Sequence, residues 1–260
     1  MRRKKRVQAT ASDDFQSRLQ LLAKTMPAKY RSSVYRDIKA LGRAGARSYP
    51  SLLGLLENPA SRPGLRAAAC WMLGRLRDRR ALPTLLRVFK KEKGALAFES
   101  AASIGMLGNG STVGPLVSAL RNSPEVEKRV AAAYGLRLLA DKHALKALLQ
   151  KLSDKEEHPR VRGEVAEGLA CLRDRSAVPA LLAALDDPSE EVRFWAAFAL
   201  GELGDRRALP KLGELAARDR AVLKGWWSVR KEARNAIKEI TRETTKGNTD
   251  LASRKTVRVK

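Results

Sequence analysis

Five arginines recur at one place in a repeating pattern: Arg66, Arg129, Arg162, Arg193 and Arg230, each after a valine or the position equivalent to it. A guanidinium is always charged and offers five donors in a plane. A row of them either holds the anionic groups of a ligand or pairs with carboxylates of neighbouring elements. Pairing is the preferred reading, with Asp187, Glu164 and Glu191 as candidate partners. A second set of cations clusters just after these stretches: Arg77, Arg79 and Arg80; Lys142 and His143; Arg173 and Arg175; Arg206 and Arg207. A third comprises Arg87, Lys90, Lys91, Lys93, Arg121, Lys146 and Lys151, joined by Arg43, Arg47, Arg75 and the opening "RRKKR".

Their chemistry is anion binding. The candidate partner-binding residues are Arg75, Arg79, Arg80, Arg87, Lys90, Lys91, Lys93, Arg121 and Lys146. Charge supports this: the chain carries +24, and residues 11–140 hold 22 Lys/Arg against 9 Asp/Glu, whereas residues 141–240 are nearly balanced. Such an excess suits an acidic protein, nucleic acid or an anionic surface. Tryptophan adds one more candidate. Trp226 and Trp227 follow a glycine at the start of the last helix, and adjacent helical positions cannot both face one core. One is expected to seal the final unit and the other, taken as Trp227, to meet a partner.

Catalysis finds little support. His143 precedes alanine and His158 precedes proline, so neither begins a His-Glu pair of the kind that could hold iron. Two histidines and two scattered cysteines make no metal site, and no nucleophile–base constellation stands out. No catalytic residue, metal or cofactor is expected. Cys70 and Cys171, each in an alanine-rich stretch, read as small buried hydrophobes, which fits a cytoplasmic protein. No run of about 18 apolar residues suggests a membrane span. "MRRKKRVQATASDDF" lacks the apolar core of a secretory signal.

The elements that position these groups follow from a repeat. "LGRLRDRRALPTL" at Leu73 and "LGELGDRRALPKL" at Leu200 share their pattern, and the equivalents of the proline are Pro50, Pro83, Pro115, Lys146, Pro179 and Pro210. The separations of 31–33 residues mark a solenoid. Each unit has an alanine-rich first helix, a turn and a leucine-rich second helix. Asp78, Asp141, Asp174 and Asp205 are placed to cap the second helix, and proline suits its first turn.

The stretch "DDPSEEVRFWAAFALGELGDRRALPKLGEL", from Asp186, resembles the HEAT-repeat superfamily, in particular the PBS-lyase HEAT-like repeat. The resemblance covers about residues 35–240. It weakens in unit three, where Asn-Gly-Ser replaces Asp-Arg-Arg, and in unit four, which lacks the glycine and proline. It implies an all-α fold: a right-handed α-solenoid of about six helix-turn-helix repeats with helical caps. A basic disordered tail is expected at 1–11, the solenoid at 12–240 and a second basic tail at 241–260. Within 12–41, "SDDFQSRLQLLAK" and "PAKYRSSVYRDIKAL" read as capping helices.

The superfamily hosts mostly binding scaffolds. The functional expectation is a non-catalytic scaffold, monomeric, docking an acidic protein or peptide through its concave face and basic edge. Nucleic acid held through its phosphates is the second reading. A bilin lyase-like subunit and an alkylpurine DNA glycosylase are further alternatives. The glycosylase lacks a carboxylate four residues after any of Trp71, Trp195, Trp226 or Trp227.

Overall fold

A computed structural model describes residues 49–256, with side chains to Arg242. The expected N-terminal tail, the two capping helices, Arg43 and Arg47 lie outside the described residues. The fold is all-α, an α-solenoid built of HEAT-like helix pairs. It forms two compact units, residues 1–112 and 113–260.

In the first unit α1 (Tyr49–Glu57), α2 (Pro63–Arg75), α3 (Leu82–Lys91) and α4 (Gly94–Leu107) are followed by the start of α5 (Gly110–Asn122). Helix α4 packs on α2 and α3, and α1 packs on α2. The second unit continues with α6 (Val126–Leu139), α7 (Leu145–Ser153), α8 (Pro159–Leu172), α9 (Val178–Ala184), α10 (Glu190–Leu203), α11 (Leu209–Arg218) and α12 (Val229–Thr256). There α8 packs on both α6 and α10, and α12 on both α10 and α11. First helices therefore stack on first helices, as their small residues allow. Leu136, Leu169 and Leu200 are fully buried in this stack. Gly201 permits a close backbone approach: a β-carbon there would lie 2.9 Å from the Ala236 Cα of α12.

The turns keep one design with a difference from the expected cap. Asp78, Asp141, Asp174 and Asp205 accept from the amides of Arg80, His143, Ser176 and Arg207 at 2.9–3.1 Å. These amides belong to a short 3₁₀ turn that precedes each second helix, not to the helix itself. A carboxylate two residues back closes such a turn locally. In the divergent third repeat, Asn109 Oδ1 takes the Ser111 amide at 3.1 Å. Asparagine thus preserves the turn, but α5 starts earlier and Pro115 falls inside it.

Helices α6, α8 and α10 end on left-handed residues: Ala140 at φ 50°, Arg173 at φ 52° and Gly204 at φ 64°. Glycine takes this conformation without a β-carbon penalty, whereas the other two carry about 1 kcal/mol each. Two sequence expectations differ from the structure. Cys70 is buried, but Cys171 is exposed, between the buried Ala170 and Leu172 at the end of α8. Helix α12 runs on to Thr256, past residue 241, where a tail was expected; Ile240 is its last buried side chain among those described.

Candidate functional site

The recurring arginines bridge successive junctions. Each reaches back to a backbone carbonyl before its own helix, and all but Arg230 also reach forward to a carboxylate just past the end of the second helix. Arg66 donates to Leu56 O at 2.9 Å and pairs with Glu92 at 2.7 Å. Arg129 donates to Ser123 O at 2.8 Å and holds Glu157 through two bonds of 2.7 and 2.9 Å. Arg162 donates to Glu157 O and to Asp187 at 2.8 Å. Arg193 repeats the arrangement with Asp187 O and Asp219. Arg230 donates to Ala217 O at 2.7 Å. Asp187 is one of the partners expected; Glu164 is engaged by Arg137 instead. The donors face inward to protein acceptors, and Arg162 is only 3% exposed at its side chain. These residues fasten junctions together.

Burial works against ionising Glu157, yet bonds from Arg129 and Lys151 and from the His158 amide hold its carboxyl down at about 2. Glu164 is the opposite case. Burial pushes its carboxyl up to about 7, although Arg137 lies at 2.9 Å, because the same guanidinium also serves Glu167 at 2.8 Å. Folded Glu164 therefore keeps a proton that the unfolded chain releases near pH 4.5. Stability present below that pH is expected to fall as pH rises from about 4.5 to 7, by roughly 1–3 kcal/mol. Urea midpoints at pH 5, 6 and 7.5 measure this, and Glu164→Gln is expected to flatten the decline.

The candidate partner-binding cations divide between the units. In the first, Arg75, Arg79, Arg80, Arg87, Lys90, Lys91 and Lys93 are all exposed, along the end of α2, the following turn and the end of α3. Several are engaged within the chain. Arg80 pairs with Asp78 and lies 4.4 Å over the Tyr49 ring, and Arg75 lies 5.4 Å over Trp71. Arg87 reaches Glu57 at 2.8 Å, and Arg79 donates to Leu107 O. Cations and rings thus interleave here, Arg75 with Trp71 and Arg80 with Tyr49. In the second unit Arg121 donates to Gln150 at 2.9 Å, and Lys146 is exposed on α7.

Trp226 and Trp227 need correction more than any other residues. Neither seals the unit: they are 49% and 38% exposed. They precede α12, in a loop closed by a bridge between Val222 and Ser228 and turned at Gly225, φ 84°. A loop frees adjacent side chains from the helical angle that sets them on different faces. Both rings meet Phe194 and each other, and Trp226 stands edge-on to Trp195 at 5.1 Å. With Phe198 these rings border a groove of about 380 Å³ between α10 and α12. Its lining includes Glu167, Glu202, Glu232 and Glu239, and no lysine or arginine. Glu232 is buried and accepts from Trp227 Nε1 at 2.6 Å and from Asn235.

Sequence reasoning missed this groove because it looked for acids four residues after each tryptophan. The carboxylates come from neighbouring helices, with Glu202 four after Phe198 and Glu232 five after Trp227. Among the described residues, no cluster of His, Cys, Asp and Glu could hold a metal, and no helix is long and apolar enough to cross a membrane.

A family model for HEAT repeats matches residues 15–110 and 155–238. The chain is 36% identical over 94 residues to the phycocyanobilin lyase subunit alpha of Picosynechococcus sp. (strain ATCC 27264 / PCC 7002 / PR-6). That match takes in 33% of this chain and 35% of the relative, so the chain spans about a third of the relative's length. A solved Escherichia coli protein, YibA, superposes with a TM-score of 0.50 at 20% identity, covering 87% of this chain and 82% of that one. The complex of CpcE and CpcF of phycocyanin lyase from Nostoc sp. PCC7120 gives 0.46 at 17% identity, covering 92% and 98%. With its stacked helix pairs, Asp-closed turns and junction-bridging arginines, the chain belongs to the HEAT-repeat family.

Proposed function

We propose that the chain is a non-catalytic HEAT-repeat scaffold whose first unit docks an acidic protein or peptide. The observation that carries this is the run of exposed cations along α2, its turn and α3, ending in Lys90, Lys91 and Lys93 within four residues. Family membership supports a scaffold role, since most such folds work by binding. The local excess steers anionic partners and sets register more than it supplies raw affinity. No cofactor enters this reading, which places the protein in the cytoplasm as a monomer.

The test is fluorescence anisotropy of a labelled Asp/Glu decapeptide and of a labelled 20-base-pair duplex, across about 50–300 mM salt. The acidic peptide is expected to bind saturably near 150 mM salt, and the triple change Lys90→Gln, Lys91→Gln, Lys93→Gln to weaken it about tenfold. Tighter duplex binding with a salt slope of several phosphates would overturn the protein reading in favour of nucleic acid. A second reading, a bilin lyase-like subunit, rests on the 36% identity over 94 residues to the phycocyanobilin lyase subunit. Free phycocyanobilin added to the protein would then change its visible absorbance on binding, and an unchanged spectrum would exclude it.

A further inference from the structure

The groove between α10 and α12 has the opposite character to the rest of this protein. The chain carries +24, yet this lining brings together four carboxylates and no lysine or arginine. Its aromatic wall is exposed in part: Trp226 and Trp227 are two of three large hydrophobic side chains that stand out from the described surface. The walls are also fixed. Phe194 is buried beneath the rings, Trp195 braces Trp226, and the Trp227 indole is oriented by Glu232. The indole face offers a negative quadrupole to which a cation is drawn, and nearby carboxylates add charge. One cation of the chain already uses such a face, with Lys231 Nζ 5.0 Å from the Trp227 ring centroid.

We propose that this groove binds a lysine- or arginine-bearing segment of a partner protein, the cationic head lying against Trp226 and the exposed carboxylate of Glu202. Charge complementarity selects the occupant. An apolar peptide would leave the exposed Glu202 carboxylate desolvated without a partner, and an acidic one would meet like charge. The site is independent of the basic face of the first unit, so the protein presents one surface to an acidic partner and another to a basic one.

The experiment is calorimetric titration of the full-length protein with an unlabelled pentapeptide of alternating lysine and arginine, at 150 mM salt. The protein's net charge of +24 disfavours such a peptide overall, and the Trp226/Glu202 variant separates this groove from other acidic positions. Trp226→Ala combined with Glu202→Gln is expected to weaken it by about tenfold or more, with the melting midpoint lowered only slightly because both side chains are exposed. The same variant is expected to bind the acidic decapeptide as the unaltered protein does, and the Lys90, Lys91, Lys93 triple variant to bind the basic pentapeptide normally. Absence of saturable heat, or equal affinity in the Trp226/Glu202 variant, overturns the proposal. A tenfold gain in affinity on changing the cations of residues 2–6 to glutamine would assign the groove to the chain's own start instead, which also overturns it.

Discussion

Replacing Arg162 with alanine is expected to lower folding stability by about 3–5 kcal/mol, read as a shift in the urea midpoint followed by helical circular dichroism. The reason lies in what the substitution leaves behind. Asp187 is 1% exposed at its side chain and receives Arg162 at 2.8 Å. Without the guanidinium it keeps the Ser189 amide at 3.0 Å and the Lys155 ammonium at 3.3 Å, and that lysine is 60% exposed. Two carbonyl groups, Glu157 O and Lys155 O, lose their donor as well. A buried carboxylate deprived of its main counter-charge is costly, far more than the pair itself contributes. Changing both members, Arg162→Met with Asp187→Leu, is therefore expected to recover most of the loss. Arg87→Ala removes a pair whose side chains are 56% and 44% exposed, and is expected to cost under about 1 kcal/mol. Equal losses for Arg162 and Arg87 would mean that burial is not what makes the recurring arginines structural.

That contrast also shows what could be read in the sequence. The repeat period, the helix pairs and the turn aspartates follow from local spacing, because each is set by residues within one unit. The recurring arginines were legible as a row, and Asp187 as a partner, but the rule that selects the partner was not. The acids lie 25–28 residues downstream, at the next junction, and that distance is closed only when one unit stacks on the next. Glu164 shows the limit: it lies two residues from Arg162, yet serves the neighbouring helix through Arg137. The aromatic groove was hidden for a related reason. Its rings come from α10 and the loop before α12, and its carboxylates from three helices, so no single window contains it.

Phe194→Ala is expected to have an effect of similar size, about 3–5 kcal/mol, while Trp226→Ala costs under about 1 kcal/mol. The residues are neighbours and their rings lie 5.8 Å apart. Their burial is what separates them. Phe194 is 1% exposed and supports three tryptophan rings, so its removal opens a cavity under all of them, edged by α10 and α12. Gly201 holds those helices too close for collapse to proceed smoothly, since the Ala236 backbone already meets it. Trp226 is 49% exposed and loses mainly edge contacts with its neighbours. Thermal and urea unfolding of the two variants side by side would measure the difference. If Trp226→Ala proved as damaging as Phe194→Ala, the tryptophans would be part of the core, and their exposure would have a purely structural origin. If it costs little, stability does not account for a large ring set half in water beside carboxylates, and the basic-peptide titration decides whether binding does.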